Sequence, residues 1–126
     1  MEFSSQRLAD VFIAAPVGQI DHPHAQQLQL ALAPVLDAAA VDANTVVLDF
    51  SGVEYISSMG LRVLLMAAKQ QHARNAKIAV AAMRPVVKEI FAIARFNHVL
   101  DVFPSVRAAL EQLSATALAA YDAAGR

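Results

Sequence analysis

Two short apolar runs, Thr45-Val46-Val47-Leu48-Asp49-Phe50 and Lys77-Ile78-Ala79-Val80-Ala81, flank a stretch in which Leu61, Leu64, Leu65, Ala68 and His72 recur at helical spacing. Two strands joined by a crossover of that length pair side by side and parallel, because a tight turn cannot bring the chain back to the same end of a sheet. Strand–helix–strand alternation of this kind places the chain in the α/β class, with a largely parallel sheet.

The flanking segments extend the alternation. Val11-Phe12-Ile13-Ala14 predicts a first strand, paired across Pro16 with a second short strand near 17–20. Asp21 is the predicted N-cap of a first helix, with Pro23 in its first turn and Ala25, Leu28, Leu32, Val35, Leu36 and Ala39 on one face. Pro34 removes an amide donor inside it, so a bend or early end is expected there. Pro85 opens a third helix with Val86, Val87, Ile90, Phe91 and Ala94 on one side, and a last strand follows at 99–103. Pro104-Ser105 starts one final helix with a stripe of Val106, Leu110, Leu113 and Ala117, which loses its pattern through Tyr121 and frays by Gly125.

With 126 residues, 57% hydrophobic and 17% charged, the chain has enough apolar surface for one packed domain, and no internal repeat or linker divides it. Ten basic residues against eleven acidic, with no run of like charge, leave no electrostatic stripe for nucleic acid or an anionic membrane. The absence of cysteine excludes disulfides, zinc–thiolate centres and thiol catalysis. Residues 1–10 are polar rather than leader-like, and no apolar stretch approaches the roughly 18 to 20 residues that span a bilayer, so a cytoplasmic protein is expected.

Between the two strands the chain presents Ser57-Ser58-Met59-Gly60-Leu61 at a strand-to-helix turn. The first amides of a helix lack intrahelical partners and the dipole's positive end faces outward there, so Ser58 stands where an anion is favoured. On pattern alone, one of the two serines simply caps the helix. Neither lies in a Gly-x-Ser-x-Gly elbow with a recognisable base, and residues 52–60 lack the Lys-Ser/Thr ending of a phosphate-cradling loop. Catalysis has no parts here, so the chain is expected not to be an enzyme and to use no cofactor. His22-Pro23-His24 lacks the further ligands a metal needs; Asp21, Asp49 and Glu54 are not paired as a magnesium site requires; Asp49 is expected to fix the following turn. His72 and His98 receive no role. Along the helix, Met59, Arg62, Met66 and Lys69 recur on the side away from the apolar stripe, either as a solvated face or as a mixed apolar and basic docking surface beside Ser58.

Asp49-Phe50-Ser51-Gly52-Val53 followed by Ser57-Ser58-Met59-Gly60-Leu61 resembles the signature of STAS domains, specifically bacterial anti-sigma factor antagonists, in which a strand ends in Asp-hydrophobic-Ser and Asp-Ser-Ser-Gly-Leu follows. Ser57 stands in place of the family's acid and Met59 in place of its second serine. Gly18-Gln19-Ile20-Asp21-His22 resembles the family's turn before the first helix, and Arg84-Pro85-Val86-Val87-Lys88-Glu89-Ile90-Phe91 its third-helix entry. After that helix the family places a Ser-Gly or similar break, where this chain has Ala94-Arg95-Phe96-Asn97.

The resemblance implies a single STAS domain over 1–126, core about 9–113 and C-terminal helix to about 121, with a mixed, largely parallel sheet of four to five strands and about four helices mainly on one face. It further implies an anti-sigma factor antagonist whose unphosphorylated form binds a serine-kinase anti-sigma factor of Bergerat type and frees a sigma factor. Phosphorylation of Ser58, or alternatively Ser57, would break that complex, and a PP2C-type phosphatase would restore it. Asp21, His22, Ser57, Met59, Gly60, Arg62, Met66 and Lys69 would form the contact surface, and a weak homodimer is compatible with it. The alternative is a STAS scaffold that is never phosphorylated, a subunit of a signalling or lipid-transport assembly; an enzyme or small-ligand sensor is a third reading.

Overall fold

The computed structural model describes residues 1–42 and 44–125. Six strands and five helices follow one another as β1 (Glu2–Leu8), β2 (Val11–Ile20), α1 (His22–Ala40), β3 (Thr45–Asp49), β4 (Val53–Ile56), α2 (Ser58–Ala73), β5 (Lys77–Ala81), α3 (Pro85–Ile93), β6 (Asp101–Phe103), α4 (Val106–Leu113) and α5 (Ala115–Ala123). The sheet runs β1-β2-β3-β5-β6, with β4 paired to β2. Only β1 is antiparallel to its neighbour; β3 and β5 pair in parallel from Thr45 opposite Lys77 to Asp49 opposite Ala81, as the crossover requires.

Side chains alternate across the sheet and so divide the core in two. Ala14, Val46, Leu48 and Val80 point to one face, where α1, α2 and α3 add Leu28, Leu32, Leu64, Val87 and Phe91. Val11, Ile13, Val47 and Ala81 point to the other, covered by Val106, Ala109 and Leu110 of α4 and Ala117 of α5. Helices thus pack three to one face and two to the other.

Several sequence expectations change. Residues 2–8, which precede the expected core of about 9–113, form an edge strand in a hairpin with β2. The strand is mostly exposed and polar, which blunts an edge and also hides it from pattern reading. Val11–Ile20 is one continuous strand, not two: its first half pairs β3, its second half pairs β4, and Pro16 falls between the two ladders where a missing amide costs least. Pro34 does not end α1, which continues to Ala40; Pro34 and Leu30, whose carbonyl loses its partner, both face solvent, and water can replace the missing bond.

In α3 the fully buried residues are Val87 and Phe91, whereas Val86 within it and Ala94 just past its end are exposed. A 3₁₀ turn at Phe96–His98 shortens the last strand to Asp101–Phe103. The single C-terminal helix is two: Ser114 takes extended angles, caps α5 by accepting from the Ala117 amide at 3.0 Å, and donates its hydroxyl to the Asp10 carboxylate.

Candidate functional site

Asp49 accepts a hydrogen bond from the Ser51 amide at 3.0 Å, which closes the turn expected after β3. The chain then resumes as β4 alongside the second half of β2, with the Gly18 amide donating to the Gly52 carbonyl at 2.8 Å. Because β2 and β4 run parallel and end together, the helices that follow them start together as well. The Ser57 amide donates to the carbonyl of Ile20 at 2.8 Å, so the N-cap of α2 adjoins the N-cap of α1. Both positive dipole ends open on one edge of the molecule.

Each cap is filled by its own side chain. Ser57 has extended angles and accepts from the Gly60 amide at 3.2 Å; Asp21 accepts from the His24 amide at 3.2 Å. His24 Nδ1 also lies 2.5 Å from the same Asp21 oxygen. Partial burial pushes the Asp21 carboxyl up, but its hydrogen bonds to His24 and the charge on that ring outweigh this and hold it below the usual carboxylate value.

Ser58 is the first residue of α2 proper. It is exposed, and its hydroxyl has no hydrogen-bond partner among the described residues. The two serines therefore do different things: Ser57 is occupied with the helix end, and Ser58 is free for chemistry. Gly60 is buried, and a Cβ there would stand 2.7 Å from Ile56 Cγ1 and 2.8 Å from Ile20 Cγ2. Gly60 was expected on the contact surface; its place is under it, where the lack of a side chain lets α2 begin directly against the strand ends.

Met59, Arg62 and Met66 converge on a groove of about 470 Å3 between α1 and α2, whose other wall is Gln29, Ala33 and Leu36. His22 joins Met59 in an adjoining depression beside the first turn of α1. Lys69 is exposed farther along α2 and lines neither hollow. Arg62 makes no ion pair or side-chain hydrogen bond among the described residues, and α2 contains no acidic residue to offer it one. Sequence reading missed the α1 wall, since Gln29 and Ala33 carry no signal until the two helices lie side by side. It also missed Gln71, wholly buried, whose amide donates to the Leu36 carbonyl at 3.2 Å and ties α2 to α1 behind the groove. No helix among the described residues is long and apolar enough to cross a membrane, and no three His, Asp or Glu residues among them group as metal ligands.

The sequence matches the STAS domain over residues 2–109. A protein of Bordetella bronchiseptica named as an anti-sigma factor antagonist, BtrV, is 34% identical over 104 residues, spanning 82% of this chain and 84% of that protein. Among solved structures, a Thermotoga maritima protein described as an anti-sigma factor antagonist superposes with a TM-score of 0.79 at 18% identity, covering 88% of this chain and 93% of the other. SpoIIAA, an anti-sigma factor antagonist solved in its unphosphorylated form, gives 0.67 at 15% identity over 87% of this chain and 95% of its own.

Proposed function

The chain belongs to the STAS domain family, among its anti-sigma factor antagonists, and on that premise we propose that it is a phosphorylation-controlled switch acting through the start of α2. Unphosphorylated, it binds an anti-sigma factor that is also a Bergerat-type serine kinase, and a sigma factor is released. The kinase transfers the γ-phosphoryl of ATP to Ser58 Oγ: the new O–P bond forms as the bond to ADP breaks, and the hydroxyl proton passes to a base on the kinase. A PP2C-type phosphatase hydrolyses the ester and returns the binding form.

The observation that carries this reading is the division of labour between the two serines, with Ser57 bound into the cap and Ser58 exposed, without a hydrogen-bond partner among the described residues, next to Met59, which lines the α1–α2 groove. A phosphate on Ser58 adds about −1.5 to −2 charge beside that groove. A differential of about 2.7 kcal/mol already alters binding about a hundredfold, so no change of fold is required. Met59, Arg62 and Met66 form the body of the contact and His22 its flank; adaptable thioethers beside one cation suit a partner surface of apolar and acidic character.

Incubation with the cognate kinase and ATP, followed by phosphopeptide mass spectrometry, tests it: phosphate is expected on Ser58. A protein that binds the kinase and remains unmodified at both Ser57 and Ser58 is instead the scaffold form. That second reading draws on two features of this chain, the neutral Ser57 in the acid's place and Met59 in the second serine's place.

A further inference from the structure

Ser58 and Arg62 stand four residues apart on the exposed side of α2, one turn above the other. Long helical side chains lean toward the helix N-terminus, so the Arg62 guanidinium is within reach of the turn where Ser58 sits. An anion N-terminal to a cation at this spacing is the favoured order of the pair. Among the described residues neither group has a partner: the Ser58 hydroxyl makes no hydrogen bond, and Arg62 makes no ion pair or side-chain hydrogen bond. Arg62 is also the charged residue lining the α1–α2 groove, among Gln29, Ala33, Met59 and Met66.

We propose that Arg62 is the shared counter-ion of the switch, claimed by an acidic side chain of the partner when Ser58 is unmodified and by the Ser58 phosphate once it is added. The inference rests on the phosphorylation reading above and specifies how the phosphate acts. Guanidinium pairs with phosphate in a two-pronged geometry and prefers it, as a dianion, to a single carboxylate. Modification then does more than repel. It closes the one cationic anchor in the groove with an intramolecular partner that cannot diffuse away, and leaves the partner's carboxylate facing a neutralised surface. The absence of any acid on α2 matters here, since a Glu or Asp one turn away would compete for Arg62 and blunt the exchange.

Two measurements test this, using the full chain with phosphoserine installed at position 58 and the same protein carrying Arg62→Gln, a change on an exposed position that the fold tolerates. In a phosphorus NMR titration the second ionisation of the phosphate is expected at lower pH in the parent than in Arg62→Gln, which returns toward the ordinary value near 6. Asp21, His22 and His24 at the start of α1 are the charged or ionisable residues that adjoin the start of α2, and a further titration with His22→Gln should leave the difference intact. Coincident curves for the parent and Arg62→Gln overturn the ion pair, whatever the function. In the second measurement, affinity for the cognate anti-sigma kinase is compared with and without phosphate in both backgrounds. The fold-loss on phosphorylation should shrink at least about fivefold in Arg62→Gln, which itself binds more weakly than the parent when unphosphorylated; an undiminished loss overturns the competition. Failure of the unmodified parent to bind the kinase defeats the functional reading and this proposal with it, while the titration judges the ion pair separately.

Discussion

Gly60 on α2 and Ile20 at the end of β2 approach so closely that a methyl group on Gly60 would stand 2.8 Å from Ile20 Cγ2. Ile20 and Ile56, the two neighbours such a methyl would meet, are fully buried and have no room to yield. Alanine favours a helix over glycine by about 1 kcal/mol, whereas overpacking a closed core costs about 1 to 3 kcal/mol. Gly60→Ala is therefore expected to destabilise the protein by up to about 2 kcal/mol, read as a lower urea midpoint, despite its better helix propensity. A raised midpoint would show that the helix start is not pinned by this contact.

Gln71 illustrates the opposite imbalance. Its Nε2 is bonded to the Leu36 carbonyl, but its Oε1 is buried without a partner among the described residues. An orphaned buried acceptor costs about 1 to 3 kcal/mol, while one neutral hydrogen bond contributes about 1 kcal/mol net. Gln71→Leu keeps the volume and removes the orphan, so thermal stability should be equal or higher; Gln71→Ala, which opens a cavity, should lose about 2 kcal/mol or more. A large loss in the leucine variant would mean that the tie to α1 outweighs the unpaired oxygen.

Arg95 follows α3 with φ of 58°, in the left-handed region. A residue with a Cβ is strained there by about 1 to 2 kcal/mol, and glycine loses about 0.5 to 1 kcal/mol through its greater freedom when unfolded. The difference predicts that Arg95→Gly stabilises by up to about 1 kcal/mol in chemical denaturation, with no effect on binding at the start of α2.

These residues also mark how far the sequence could be read. The buried face of α1 is the predicted one, Ala25, Leu28, Leu32, Val35, Leu36 and Ala39, because large apolar residues at helical spacing leave a single way to pack. On α2 the buried side is turned slightly: Ala67 and Gln71 are inside and His72 outside, since a small and a polar residue carry no hydrophobic signal until α1 is beside them. The edge strand β1 and the short β4 escaped notice because one is polar on both faces and the other has only four residues. The break at Ser114 combines a local cap on Ala117 with a bond to Asp10, 104 positions away, and no local pattern holds the second part. The serine turn was legible because turn and capping chemistry is local; which serine caps and which stays free emerged only from the Gly60 contact and the Ser57 angles.

The cap of α1 predicts a pH response. Asp21 is held below the usual carboxylate value mainly by its hydrogen bonds to His24, so its contribution to stability is present above the unfolded carboxylate's titration and is lost as pH falls through the folded one. Parent and Asp21→Ala melting temperatures should therefore differ near neutrality, with the parent higher, and converge as pH drops below about 4, where unfolded aspartate takes up its proton. A gap that persists unchanged into strong acid would show that the charged carboxylate is not what caps this helix.

Met66 offers a direct test of the docking face, because it is 56% exposed, lines the α1–α2 groove, and can be truncated without opening the core. Ile93 on α3 is even more exposed, at 78%, and lines neither hollow beside Ser58. If the groove is the contact, Met66→Ala should weaken binding of the cognate anti-sigma kinase by about tenfold, or about 1.4 kcal/mol, the scale of a buried anchor lost from an interface. Ile93→Ala should leave the affinity within about twofold, since surface truncations away from an interface are near neutral. Both variants should melt with the parent, as neither residue is buried. Titration calorimetry with the two proteins side by side separates a specific surface from general stickiness: equal losses would mean that no specific groove contact exists, and a loss only with Ile93→Ala would move the partner off this groove and onto α3.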